Sequence, residues 1–502
     1  MKRIVLAALL VAGAQAAGYR IAGIVVNAST HQAVAGACVT LAPLERPDER
    51  LPFITGPDGR FVFAGMAAGR YTLVAERRGF LAGALAGDLV TGPDRHTESL
   101  VLPVSPPGVI AGKVTDDLGD PVYQANVQLF GSAMHNGHRR LTPVSSRQTD
   151  DTGQYRFGGL APGSYFVSAS GFPWYAKFNE THGDAPARTM THTGYGIQYF
   201  RDTGDPAAAE PVAVEAGQEA AADFTLVPLP AVAVRVHLEG GGDSGIQYAL
   251  TAAGPGGNPV LVRQGNTEGD LINLWAIPPG HYELEIRSNL YAREPITIGA
   301  VDADINVRLS AAPSLSGTVE VEGGASLPAG ASILVSDENA GASQSASIGP
   351  GGKFVLQGIP PERYQVALLG AGDYYLKQWS AEGVTAIRLK AIAAKGSRIA
   401  GKVECDDQPA AGALVVLSGP EESRAVRADT AGSYEIRGVP PGSYSLFAVQ
   451  NGADLEYANP AAIEPYLAGA QKVKLAAGAS YSRDLALPRT TADRPGPASP
   501  KP

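Results

Sequence analysis

Cysteine is almost absent: Cys38 and Cys405 are the only two in 502 residues, which excludes a disulfide framework. They fall in the first and last of the repeats described below, so a bond between them requires the chain to fold back on itself, and they are read as two isolated thiols. Charge is sparse at 18% of residues, and the balance is acidic, with a net charge of -9 and a pI near 5.5. No basic stripe is left for a phosphate backbone, which excludes nucleic acid as a partner. Long apolar runs are missing too. The run from Ile4 to Ala12 is shorter than the roughly 20 residues a spanning helix needs, and no later stretch comes closer, so no membrane span is expected. Helical periodicity is nearly absent throughout, which leaves strands.

What is present is glycine (61), proline (38) and a repeated phrase. GVPPGSYSL at 438–446 has relatives in GMAAGRYTL from 65, GLAPGSYFV from 159, AIPPGHYEL from 276 and GIPPERYQV from 358. An apolar pair precedes each tyrosine by ten and eight residues: Phe61/Phe63, Tyr155/Phe157, Ile272/Leu274, Phe354/Leu356 and Tyr434/Ile436. This offset predicts strand, turn, strand, with proline and glycine breaking the ladder and a second alternation starting at the tyrosine. Tyr71, Tyr165, Tyr282, Tyr364 and Tyr444 then enter a strand at a corner. Corner tyrosines commonly bond back to nearby backbone, so these five are assigned a structural role.

Upstream of each phrase stands a candidate first strand: IAGIVV at 21–26, IAGKV at 110–114, LSGTV at 315–319 and IAGKV at 399–403. About fifteen residues later an alternation offers one apolar face, Ala37/Val39/Leu41, Ala125/Val127/Leu129, Ala331/Ile333/Val335 and Ala413/Val415/Leu417, with Cys38, Asn126, Ser332 and Leu414 on the other. Closing strands are expected at 98–103, 223–228, 304–309, 386–392 and 483–487. The fold class is therefore all-β, a tandem array of about five small β-sandwiches. The corner tyrosines are 94, 117, 82 and 80 residues apart, too far for a solenoid, so each unit should own its core. The expected layout is a signal peptide at 1–17, domains at 18–104, 105–229, 230–310, 311–393 and 394–488, and a disordered Pro-rich tail at 489–502. The third domain is degenerate, with VAVRV in place of the glycine-containing first strand. Lys2 and Arg3, the apolar run and Ala14-Gln15-Ala16 mark a signal peptide cleaved near Ala16, so the chain is expected to be exported, periplasmic or extracellular.

The combination I-A-G-x-V, G-A-x-V-x-L and D-x-G-x-Y-x-F-x-G-L-x-P-G-x-Y resembles the carboxypeptidase regulatory-like domain, a transthyretin-like sandwich grouped with carbohydrate-binding-like folds. Repeats two and five match best, and the third only through its hairpin. Members of that family stand beside metallocarboxypeptidase domains, in front of outer-membrane transporters and in secreted bacterial arrays. This sequence looks like the last kind.

Candidate chemistry is thin. GDSG at 242–245 is followed by Ile246 and lies in a glycine-rich stretch too short for a protease domain, and is read as a hairpin loop. His135, His138, His182 and His192 gather in the second repeat without HEXXH or a fixed spacing, and are read as polar loop residues rather than metal ligands. Asp406/Asp407 and Glu421/Glu422 need only solvate turns. No enzyme activity, metal or cofactor is expected.

The insertion at 171–206 is the one departure. It gathers rings and carboxylates, and Trp174, Tyr175, Tyr195, Tyr199, Phe200 and Asp202 are the candidate glycan-binding residues, since flat rings stack on the C–H face of a sugar. The bland reading is that the rings cap the sandwich end. The sequence thus points to a monomeric, non-catalytic binding or spacer array with carbohydrate as the favoured ligand. The alternative is a protein-interaction scaffold of the cell envelope, associated with a transporter or secreted enzyme.

Overall fold

A computed structural model describes residues 18–93, 95, 97–174, 192–240, 245–311, 314–337, 343–357, 364–383 and 386–487. The signal peptide, Tyr175, His182, most of GDSG and the tail fall outside these residues, as does the side chain of Tyr364. Two compact units are formed, one centred on the residues up to Pro106 and the other on Pro107 and beyond.

Each sandwich pairs a mixed sheet with an antiparallel one. In the first, Tyr19–Asn27 lies between Arg60–Met66 and Leu100–Val104, and Cys38–Pro43 lies between Leu51–Ile54 and Gly69–Glu76. The closing strand runs parallel to the first strand, so it must return from the far end of the sandwich. The same parallel closure recurs where Phe224–Leu226 meets Gly108–Asp116, Ala303–Arg308 meets Val232–Glu239, and Ala386–Lys395 meets Ser314–Val321. The alternating faces expected from the sequence are the cores: Val39, Leu41, Val127, Leu129, Ile333, Val415 and Leu417 have essentially no exposed surface.

The glycine of the first strand has a steric cause. Gly112 lies opposite Tyr155, and a Cβ there would stand 2.0 Å from Ala222 O and 3.1 Å from the Tyr155 ring. The Tyr155 hydroxyl donates to that same Ala222 carbonyl, which locks the closing segment over the glycine. Gly23 meets Phe61 and Gly317 meets Phe354 in the same register. The third domain replaces both partners at once, with Val236 opposite Ile272, and its core remains continuous from Val234 through Leu274 to Ile286.

One element has no counterpart in the sequence reading. Residues 460–467 form the helix Pro460–Leu467, started by Asn459, whose side chain accepts from Ala461 N at 3.1 Å. It lays Ile463 on Leu414, Val416 and Phe447, and Tyr466 stacks on Phe447 at 5.6 Å. Leu414, expected on the exposed face of its strand, is therefore buried, because the helix gives that face a second apolar layer.

Candidate functional site

In the second and fifth domains the turn that leads into the corner-tyrosine hairpin is closed by an aspartate. Asp150 Oδ1 accepts from Thr152 N, Thr152 Oγ1 and Gln154 N, and Asp429 Oδ1 accepts from Ala431 N and Ser433 N. These bonds hold the Asp150 carboxyl below its ordinary range, with the Thr152 hydroxyl the largest cause. The chain then crosses the glycine and proline break, and the tyrosine hydroxyl donates to the carbonyl four residues back. Tyr71 reaches Ala67 O at 2.9 Å, Tyr165 Ala161 O at 2.8 Å, Tyr282 Pro278 O at 2.7 Å and Tyr444 Pro440 O at 3.0 Å. A hydroxyl spent on its own turn is unavailable to a ligand.

The insertion does not assemble a ring platform among its described residues. Tyr195 is 7% exposed and belongs to the second domain's core. It lies on Thr193–Tyr195, which pairs antiparallel with Pro228–Pro230. Tyr199 is 1% exposed, packed with Phe130, Val260 and Leu141, and burial pushes its hydroxyl up to about 12, with Asp205 adding to the shift. Phe200 packs against the core of its own domain, and Arg201 sits 5.4 Å over its ring. The Asp202 carboxylate accepts from Thr225 N at 3.4 Å. Of the residues expected to face a sugar, Tyr195 and Tyr199 are thus interior, Phe200 is half-buried against its own core, and Asp202 is exposed. Trp174 alone of the described candidate rings is strongly exposed, at 75%.

What the insertion builds is a joint between the second and third domains. Phe130 comes from the second domain, Val260 from the third, and Tyr199 from the insertion, and all three are buried in one cluster. Polar groups complete it. Asn258 Nδ2 donates to Leu141 O at 2.8 Å, Leu261 N donates to Gln128 Oε1 at 2.6 Å, and Ser170 Oγ donates to Leu261 O at 2.8 Å. The Arg263 guanidinium lies 4.1 Å over the Phe172 ring. The insertion that precedes and contains the helix of the fifth domain makes a comparable contact, with Ala458 N donating to Gly137 O at 3.0 Å and Arg139 paired with Asp454 and Glu456.

His135 and His138 face one another across a hairpin, and His192 is exposed. Among the described residues no group of three His, Cys, Asp or Glu side chains is placed to hold a metal ion, and no helix is long and apolar enough to cross a membrane. Asp406 and Asp407 occupy a turn in the left-handed region, and Glu422 pairs with Arg424. Both cysteines are free and half-buried.

A sequence model of the carboxypeptidase regulatory-like domain matches residues 20–98 and 109–227. The comparison with curated proteins gives no match. Among solved structures, the Bacillus anthracis TIE protein is 13% identical, with 73% of this chain and 70% of that chain covered and a TM-score of 0.17. GBS52, the minor pilin of Streptococcus agalactiae, is 13% identical over 43% of this chain and 98% of its own, with a TM-score of 0.23. The shaft pilin SpaA from Lactobacillus rhamnosus GG is 10% identical over 42% and 97%, with a TM-score of 0.21.

Proposed function

We propose that this chain, in which the carboxypeptidase regulatory-like domain recurs at 20–98 and 109–227, is a non-catalytic scaffold that works outside the cytoplasm. Its five sandwiches have their limits near residues 104, 229, 310 and 393, and an envelope or secreted protein is the partner class. The observation that carries this reading is the burial of Tyr199 between Phe130 and Val260. A ring of the aromatic insertion is used to fix one domain on the next, which is what a scaffold needs and a sugar platform does not. The contact of the fifth domain's insertion with the hairpin of the second supports the same reading. Export rests on the residue pattern of 1–17.

The test is cross-linking in the producing cell followed by identification of partners, with the Tyr199→Ala variant beside the parent. The scaffold reading requires envelope or secreted proteins that are lost or redistributed in the variant. Recovery of no protein partner would contradict it.

A second reading, glycan binding, keeps one observation in its favour, the exposed indole of Trp174. Retention on a glycan array that disappears in Trp174→Ala would make it the better account.

A further inference from the structure

In four of the five sandwiches the strand carrying the corner tyrosine is closed on its outer side by a later strand of the same chain. Leu89–Thr91 pairs antiparallel with Gly69–Glu76, Val212–Val214 with Gly163–Ser170, Leu290–Ile298 with Gly280–Arg287, and Gln471–Leu475 with Gly442–Val449. The fourth sandwich departs from this. Tyr364–Leu369 pairs with Ser332–Asp337 on one side, and among the described residues no strand pairs with it on the other. The next strand, Tyr374–Glu382, crosses to the opposite sheet and pairs with Ala386–Lys395. One sheet thus gains a strand that the other lacks.

Burial shows the consequence. Trp379 lies directly opposite Ala391, and Ala381 opposite Leu389. Ala391 and Leu389 are each 1% exposed, and cross-strand partners share a face, so Trp379 and Ala381 face the core side. Yet Trp379 is 37% exposed and Ala381 is exposed as well. These core-facing side chains meet water because no strand among the described residues lies beneath them. The open edge is also unguarded. Tyr-Gln-Val-Ala-Leu-Leu contains neither a charge nor a proline, the usual means of blunting an edge, whereas the edge strand His138–Gln148 carries three arginines and Pro143.

We propose that the slot beside Tyr364–Leu369 docks one extended segment of a partner polypeptide, laid antiparallel in the sheet with aliphatic side chains at alternate positions beneath Trp379. The sister domains define that chemistry, since their closing strands bury Leu89, Val212 and Val214, Ile298, Val473 and Leu475. A strand occupies about 4.8 Å of sheet width, and the overhang of Tyr374–Glu382 extends one strand beyond the open edge. A second folded copy brought edge to edge would place its own opposite sheet where that overhang already lies, so the occupant is a single strand. Backbone bonds along the edge supply affinity, and the alternate apolar contacts supply selectivity.

The test uses the full chain and a synthetic peptide of residues 470–476, AQKVKLA, a closing strand of the required pattern. Amide hydrogen exchange is followed with and without peptide, in the parent and in Ala381→Arg, which puts a charge under the overhang. Saturating peptide should slow exchange in Tyr364–Leu369 at least tenfold in the parent and not in the variant. Exchange in Ser332–Asp337 reports that the variant is folded, and a peptide with Lys in place of its Val and Leu should protect nothing. Three outcomes would overturn the proposal. The first is no added protection at millimolar peptide, and the second is equal protection in a folded Ala381→Arg. The third is an edge fully protected without peptide, whether by a second copy, with a concentration-dependent mass, or by the chain's own segment, without one.

Discussion

The Tyr444 hydroxyl donates to the carbonyl of Pro440 at 3.0 Å, and the ring that makes this bond is 7% exposed. Replacing it by phenylalanine leaves the ring in place and orphans one carbonyl. Tyr444→Phe should lower the stability of the fifth domain by about 1 kcal/mol, the usual net worth of such a bond. Tyr165→Phe should do less, because its hydroxyl lies at the surface. Urea unfolding of each variant, with coincident midpoints for parent and Tyr444→Phe as the adverse result, checks this.

Burial pushes the hydroxyls of Tyr199, Tyr282 and Tyr444 up to about 12 from an ordinary value of 10.0. The folded state thus holds these protons more tightly than the unfolded state does. Their contribution is complete below pH 10 and is lost as the pH rises from about 10 towards about 12. Absorbance at 295 nm should show these tyrosines ionising late in the native chain, with unfolding setting in across that window. Ionisation of all tyrosines near pH 10 without unfolding would contradict their burial.

The helix Pro460–Leu467 stays in place through Ile463, which is 4% exposed on Leu414, Val416 and Phe447. Ile463→Ala should cost about 2 to 4 kcal/mol in the fifth domain, the range for truncating a buried aliphatic side chain. Near-UV circular dichroism from the stacked Phe447 and Tyr466 should weaken with it. An unchanged spectrum and midpoint would mean that the helix is dispensable.

Chelator should leave the melting temperature unchanged, because the stability argued above rests on apolar cores, backbone pairing and side-chain hydrogen bonds. A fall of several degrees with EDTA would reveal a structural metal.

Local pattern carried much of this fold. The alternation Ala125/Val127/Leu129 reads directly as a buried face because period two is a property of the strand itself. The glycine of I-A-G-x-V was visible as a letter and unexplained, since its cause lies in Tyr155 and Ala222, more than forty residues away. The rings of 171–206 were legible as a cluster, but ring composition is the same for a sugar platform and for a joint, and only the arrival of Phe130 and Val260 at Tyr199 separates them. The helix near 460 escaped because its eight residues are too few for a period to emerge, although Asn459-Pro460 is a start signal. The strand switch of Tyr374–Glu382 left no mark at all, because either sheet asks the same alternation of it.

The central claim is that Tyr199 joins the second and third domains, and hydrogen exchange in Tyr199→Ala tests it most directly. The account predicts faster exchange on both sides of the joint, in Asn126–His135 of the second domain and in Pro259–Thr267 of the third, while Tyr19–Asn27 of the first domain keeps its parent rate. Acceleration confined to the second domain, or to neither, would contradict it.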